Sequence, residues 1–226
     1  MNNRQLLLKG TLVLTLSGFL TKIMGFIYRI FLSQAIGARG MGIYQLIFPI
    51  QTLCFALSVG GIQTAISRFT AARAALKDEQ GARDVFLIST ILSVCTAILV
   101  SFFLYRHAAW FALHILLEES CTPLLKIMAL SIPLGTFHAC VSGYCFARKK
   151  MAVPALAQLL EQTSRIGTSY LLFLIQTEQG ISPTPSLAVS GLLGGELVSM
   201  LFSGFFILLD YKKKSLYAAT YEGSSG

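Results

Sequence analysis

The chain has 226 residues, 54% of them hydrophobic and 12% charged, with mean hydropathy +0.69. A soluble domain carries about 25% charged residues, so the composition excludes a soluble globular protein and points to a membrane. The net charge of +8 does not indicate a nucleic-acid partner: the cations stand in short clusters between apolar runs, as cytoplasmic loops do beside an anionic leaflet.

About 20 apolar residues cross the hydrocarbon core as a helix, and six segments qualify: 12–32, 43–66, 85–105, 123–146, 154–175 and 187–209. The first follows Arg4 and Lys9 and could mimic a signal peptide. Its apolar run is longer than the usual core of about 7–15 residues and contains Lys22, so it reads as an uncleaved span ending before Gly37-Ala38-Arg39-Gly40. The second holds Pro49 and Gly60-Gly61, which predicts a bent or locally unwound helix. The alanine-rich, charged segment 68–84 predicts a helix at the membrane surface, and Trp110 and Phe111 look like interfacial anchors.

The fourth span contains Pro133 and closes on Arg148-Lys149-Lys150, Pro154 suits the start of the fifth, and the sixth leads to Lys212-Lys213-Lys214. The expected organisation is one six-helix transmembrane lobe over 1–214 and a polar tail over 215–226. One side collects most of the Lys and Arg, whereas the other holds Arg39 and Arg106. The positive-inside rule then places both termini in the cytoplasm of a multi-pass cell-membrane protein.

The cysteines are too scattered for a disulfide framework or a zinc site, and four of them read as apolar fillers. His138, with no carboxylate neighbour, reads as a hydrogen-bonded packing residue. Gly191, Gly195, Ser199 and Ser203 recur at four-residue spacing, as do Ala139, Gly143 and Ala147. Such stripes let membrane helices approach closely.

The informative residues are charges inside the spans. Lys22 and Arg29 stand seven residues apart on nearly one helix face, about 10 Å apart along the axis. A charge at the bilayer centre costs roughly 2.5–3.5 kcal/mol by insertion scales, so this face is expected to look at protein or water. Glu161 and Arg165 have the i,i+4 order that favours an ion pair, which can also be read as purely structural. Glu196 has no partner on its own helix and needs a cation such as Lys22, or a proton. Lys126 lies near a span end and can snorkel. The central groups Lys22, Arg29 and Arg165 outnumber Glu161 and Glu196 by one. A positive cavity favours an anion, and arginine matches phosphate oxygens bidentately. No P-loop, HExxH or nucleophile elbow is visible, so the chain reads as a transporter rather than an enzyme, with no cofactor or metal.

The stretch TKIMGFIYRIFLSQAIGARGMGIYQLIFPI followed by GGIQTAISRFTA resembles the start of the stage V sporulation protein B-like polysaccharide transporters. These share the multidrug/oligosaccharidyl-lipid/polysaccharide exporter superfamily with MurJ-type lipid II flippases. The resemblance continues through IPLGTFHACVSGYCFARKKMAVPALAQLLEQTSRIG and covers about 6–214. It implies an all-α polytopic protein with two six-helix lobes that rock about a cationic cavity. It also implies transport of an undecaprenyl-diphosphate-linked oligosaccharide or peptidoglycan precursor by alternating access. On the motif, Lys22 falls at a basic position of the first helix. Arg29, the gating or loop residue Arg68, and the Glu161/Arg165 pair match less tightly. The chain corresponds to the first lobe alone, so a second lobe, from a C-terminal half or another chain, is expected beside the lipid-linked anionic glycan and the membrane lipids. Three alternatives remain open: a cation or drug antiporter of the same superfamily, which would want an acidic cavity; a membrane transferase acting on prenyl phosphates, for which the spans lack clustered aspartates; and a truncated, non-transporting membrane protein.

Overall fold

A computed structural model describes residues 3–222, with side chains for 8–212. Every regular element among them is an α-helix: α1 (Asn3–Leu46), α2 (Phe48–Val59), α3 (Ile62–Ala75), α4 (Glu79–Arg106), α5 (Ala108–His114), α6 (Cys121–Ala147), α7 (Ala152–Glu178) and α8 (Ser186–Glu222). The segments Leu8–Ala75, Glu79–Arg106, Cys121–Ala147 and Ser186–Lys212 are long and apolar enough to cross a membrane. The protein is therefore an all-α polytopic membrane protein. α7 has the length of a span, but its polar run from Gln158 to Thr168 keeps it below that hydropathy.

The breaks follow the sequence. α1 runs past the expected end of the first span and kinks at Gly37 (φ 70°, ψ 176°). The segment 43–66 is in three pieces: the end of α1, α2 with Pro49 in its first turn, and α3 beyond Gly60-Gly61. Gly61 has φ 81°, a left-handed conformation that only glycine adopts without strain. The segment 68–84 is not one surface helix. It is the end of α3 and the start of α4, joined by a turn in which Asp78 accepts from the Gly81 amide at 2.8 Å and pairs with Arg73 at 3.1 Å. The turn forms because Lys77 takes a positive φ of 59° and Asp78 caps α4. Backbone helix continues from α8 into the expected tail as far as Glu222, and 223–226 lie outside the described residues.

α6 is the hub, packing on α8, α4, α3, α2 and α5. Leu125, Met128 and Ile132 of α6 join Leu32, Ile47 and Leu104 in one core, and Tyr144 joins Ile66 and Phe86 in a second. The outward faces are apolar: Leu12, Phe19, Ile88, Phe102, Leu171 and Phe205 are all exposed, whereas Ser93, Thr136, Ser199 and Ser203 are buried. That inversion suits lipid outside and small, closely packed helix faces inside.

Gly191 and Gly195 of the α8 small-residue stripe lie on α7, and Ser203 meets His138 of α6. A Cβ added at Gly195 would stand 2.7 Å from the Glu161 carbonyl, and one at Gly191 2.8 Å from that of Arg165. Contacts advance together along α6 and α8 (Gly135 with Glu196, His138 with Ser203, Tyr144 with Asp210), so these helices run parallel. α1 and α7 are likewise parallel, with Gly10 beside Met151 and Phe31 beside Phe173.

Candidate functional site

α1 and α7 are fastened to each other by polar and aromatic contacts. The Tyr28 hydroxyl lies 2.6 Å from Ser169 Oγ, which donates to the Leu187 carbonyl at 3.2 Å, and Phe31 packs edge-on against Phe173. Because Tyr28 is held inward, Lys22 and Arg29 on the adjoining face are turned into the space beside α7. There they line a cavity of about 370 Å³ with Tyr28, Tyr44, Gln162 and Arg165. The kink at Gly37 returns the end of α1 to this wall, which is how Tyr44 and Phe48 reach it.

The three cations differ in their partners. Arg165 Nη2 donates to Glu161 Oε1 at 2.6 Å, and both side chains are about one-fifth exposed (20% and 19%). Lys22 and Arg29 are exposed to the cavity and make no ion pair within 4.0 Å among the described residues. The cavity therefore presents two cations without a carboxylate and a third already neutralised from behind. Such a site attracts an anion, and Tyr44 and Gln162 can donate hydrogen bonds to it, whereas the Tyr28 proton is used on Ser169.

The remaining sequence candidates lie elsewhere. Glu196 is only 7% exposed and points away from Lys22, with its Oε2 against Gly135 of α6. The partnership with Lys22 is not formed, because α8 turns Glu196 toward α6 while Lys22 faces the cavity beside α7. Arg68 is exposed on α3 in a separate groove with Thr64 and Ala72. Lys126 lies over the Tyr105 ring at 5.7 Å, and His138 Nδ1 lies 2.9 Å from Ser203 Oγ. Cys54, Cys121, Cys140 and Cys145 are buried free thiols, and Cys95 is exposed. No cluster that could hold a metal is found among the described residues.

Gln162, Tyr28 and Tyr44 were not among the sequence candidates. Gln162 could have been found from its place one residue after Glu161, and Tyr28 from its place one residue before Arg29. Tyr44 depends on the Gly37 kink and carried no local signal. The sequence also hid a polar cluster that ties one end of the bundle together. Arg148 makes a two-pronged contact with Glu79 at 2.6 and 2.7 Å. Lys150 bonds to Asp210, which also accepts from the Tyr144 hydroxyl at 3.2 Å. The hydrogen bonds that Arg148 donates to Glu79 push its guanidinium further up from its ordinary pKa, against the opposing effect of burial.

Residues 7–220 match the polysaccharide biosynthesis protein family. The chain belongs to that family. It is 30% identical over 211 residues to stage V sporulation protein B of Bacillus subtilis (strain 168), covering 93% of this chain and 40% of that protein. It is 29% identical over 204 residues to the uncharacterized membrane protein YabM of the same organism, covering 88% of this chain and 37% of that one. It is 26% identical over 168 residues to the lipid II flippase MurJ of that organism, covering 71% of this chain and 31% of MurJ. The chain thus spans about two-fifths or less of the length of these relatives. No solved structure gives a significant match.

Proposed function

We propose that this chain is the N-terminal lobe of a flippase that moves an undecaprenyl-diphosphate-linked oligosaccharide or peptidoglycan precursor between leaflets. The observation that carries this reading is the cavity in which Lys22 and Arg29 stand without acids beside Arg165. A diphosphate is a dense anion with many acceptor oxygens, and cations in a partly water-excluded cleft bind it through charge-assisted hydrogen bonds. Lys22 and Arg29 contact the diphosphate, and Arg165, held by Glu161, sets the field at the inner wall. The same positive balance argues against export of cationic drugs, and no enzymatic step is assigned.

The six crossings are α1 up to Gly37, the α2–α3 pair, α4, α6, α7 and α8. The end carrying Arg148, Lys150 and Arg73 faces the cytoplasm, which puts both termini there. A second lobe closes the open side of the cavity, and Arg68 lies on the α3 groove where relative movement of the lobes would be felt.

Photo-crosslinking with a diazirine-bearing prenyl diphosphate tests the reading in proteoliposomes. Label is expected on α1 and α7 peptides around Tyr28 and Gln162, and excess farnesyl diphosphate removes it. Label confined to the lipid-facing side of α4, or insensitive to the competitor, refutes the assignment.

A further inference from the structure

Behind the cavity wall lies an acid that the binding site does not use. Glu196 is buried on α8, and its Oε2 lies close to Gly135 of α6. A Cβ built on Gly135 would stand 2.9 Å from that oxygen and 2.6 Å from the Phe55 ring. Among the described residues Glu196 makes no hydrogen bond and no ion pair within 4.0 Å, although it feels the charges of Glu161 and Arg165. Two hydroxyls on the same pair of helices, Thr136 Oγ1 and Ser199 Oγ, are also buried without a hydrogen-bond partner. The seam then continues toward the Lys150 end as His138–Ser203 and Tyr144–Asp210–Lys150.

The charges around this acid can be counted. α7 presents Glu161 and Arg165, α6 presents His138, and α2 presents the uncharged Phe55. α1, which also touches α8, holds Lys22 and Arg29 in the cavity. Arg165 is thus the one cation beside two carboxylates, and it is already bonded to Glu161 at 2.6 Å. With both acids ionised the group is left with one unbalanced negative charge in a site of low dielectric, which is costly. One proton on Glu196 removes that imbalance, turning the carboxylate into a carboxylic acid whose O–H can use a neighbouring hydroxyl. A metal cation would need several oxygens in a shell, and no acid cluster of that kind is found among the described residues.

We infer that Glu196 is a proton-binding site of this protein, coupled through Arg165 to anion binding in the cavity on the far side of α7. When Glu196 is ionised, Arg165 is shared by two acids. When Glu196 holds the proton, more of the Arg165 field is free for an anion. Proton uptake and anion binding then favour each other, and the coupling is reciprocal. The coupling rests on the cavity reading above, whereas the proton site stands without it.

The test is an infrared titration of the 226-residue chain in proteoliposomes, following the carbonyl-stretch band of a protonated carboxylic acid. As pH rises, wild type is expected to lose such a band. Glu196→Gln should lack the band, and Glu161→Gln, which leaves Arg165 to Glu196 alone, should keep a Glu196 band whose midpoint lies at lower pH. Gly135→Ala puts a methyl 2.9 Å from Oε2 and is expected to move the titration midpoint, which keeps the test decisive if Glu196→Gln fails to fold. The proposal is overturned if no Glu196-dependent band exists or if Gly135→Ala titrates as wild type does. Farnesyl diphosphate should shift the midpoint to higher pH in wild type and leave it unmoved in Lys22→Ala/Arg29→Ala. An unmoved midpoint in wild type that binds the ligand overturns the coupling. A wild type that binds no farnesyl diphosphate removes the cavity reading, while the ligand-free titration still decides the proton site.

Discussion

Replacing Gly191 by alanine should loosen the contact on which the cavity wall depends. The added Cβ would stand 1.9 Å from Ser169 Oγ and 2.8 Å from the Arg165 carbonyl. Ser169 cannot simply rotate away, because its oxygen lies 2.6 Å from the Tyr28 hydroxyl and donates to the Leu187 carbonyl at 3.2 Å. Either α8 moves off α7 or these hydrogen bonds break. Overpacking of a well-packed core costs about 1–3 kcal/mol, and a buried hydrogen bond about 1 kcal/mol more, so a loss of about 3 kcal/mol is expected. Reversible unfolding in mixed detergent micelles measures it. Ser169→Ala alone should cost about 1 kcal/mol through the stranded Tyr28 hydroxyl. The double variant should cost less than the sum, because Ser169→Ala removes the atom that Gly191→Ala strikes. A Gly191→Ala protein within about 0.5 kcal/mol of wild type would refute the close α7–α8 contact.

Other outcomes follow from single contacts. Asp210→Asn weakens the hold on both Lys150 and Tyr144, and should lower stability in the same assay by about 1–2 kcal/mol; no change would show that the cluster is incidental. Gly61→Ala forces alanine to φ 81° and should cost about 1–2 kcal/mol; a cost within about 0.5 kcal/mol of zero would refute the left-handed break between α2 and α3. For sidedness, a cysteine at Lys149 should react with an impermeant maleimide only in inverted vesicles, and one at Arg39 only in right-side-out vesicles. The reverse pattern would turn the proposed topology over.

Much of the site was legible because it breaks a local rule. Lys22 and Arg29 stand out as charges in an apolar run, and their seven-residue spacing alone puts them on one face. The Glu161–Arg165 pair follows from i,i+4 geometry, and the structure forms it at 2.6 Å. What could not be read depends on which helix faces which. Glu196 lies against Gly135 rather than Lys22 because α8 turns that face to α6, and nothing within the sixth span states that neighbour. Tyr44 reaches the cavity only through the Gly37 kink. Asp210 meets Lys150 across 60 residues of chain, so a residue that reads as the polar end of a span becomes a buried tie. The long polar segment 68–84 misled for a related reason: its composition suits a surface helix, but the left-handed Lys77 and the Asp78 cap fold it into a turn between two helices.

The central claim is that the α1–α7 cavity recognises a diphosphate through Lys22 and Arg29. It is tested most directly by the affinity of farnesyl diphosphate, set against uncharged farnesol, for the chain in nanodiscs. Each charge-assisted hydrogen bond contributes about 1.5–3 kcal/mol, and exposure of both side chains favours the lower end. Lys22→Ala and Arg29→Ala should then each weaken farnesyl diphosphate binding about 10-fold, and the double variant about 100-fold, with farnesol unaffected. Equal affinity of wild type and the double variant for farnesyl diphosphate would contradict the account.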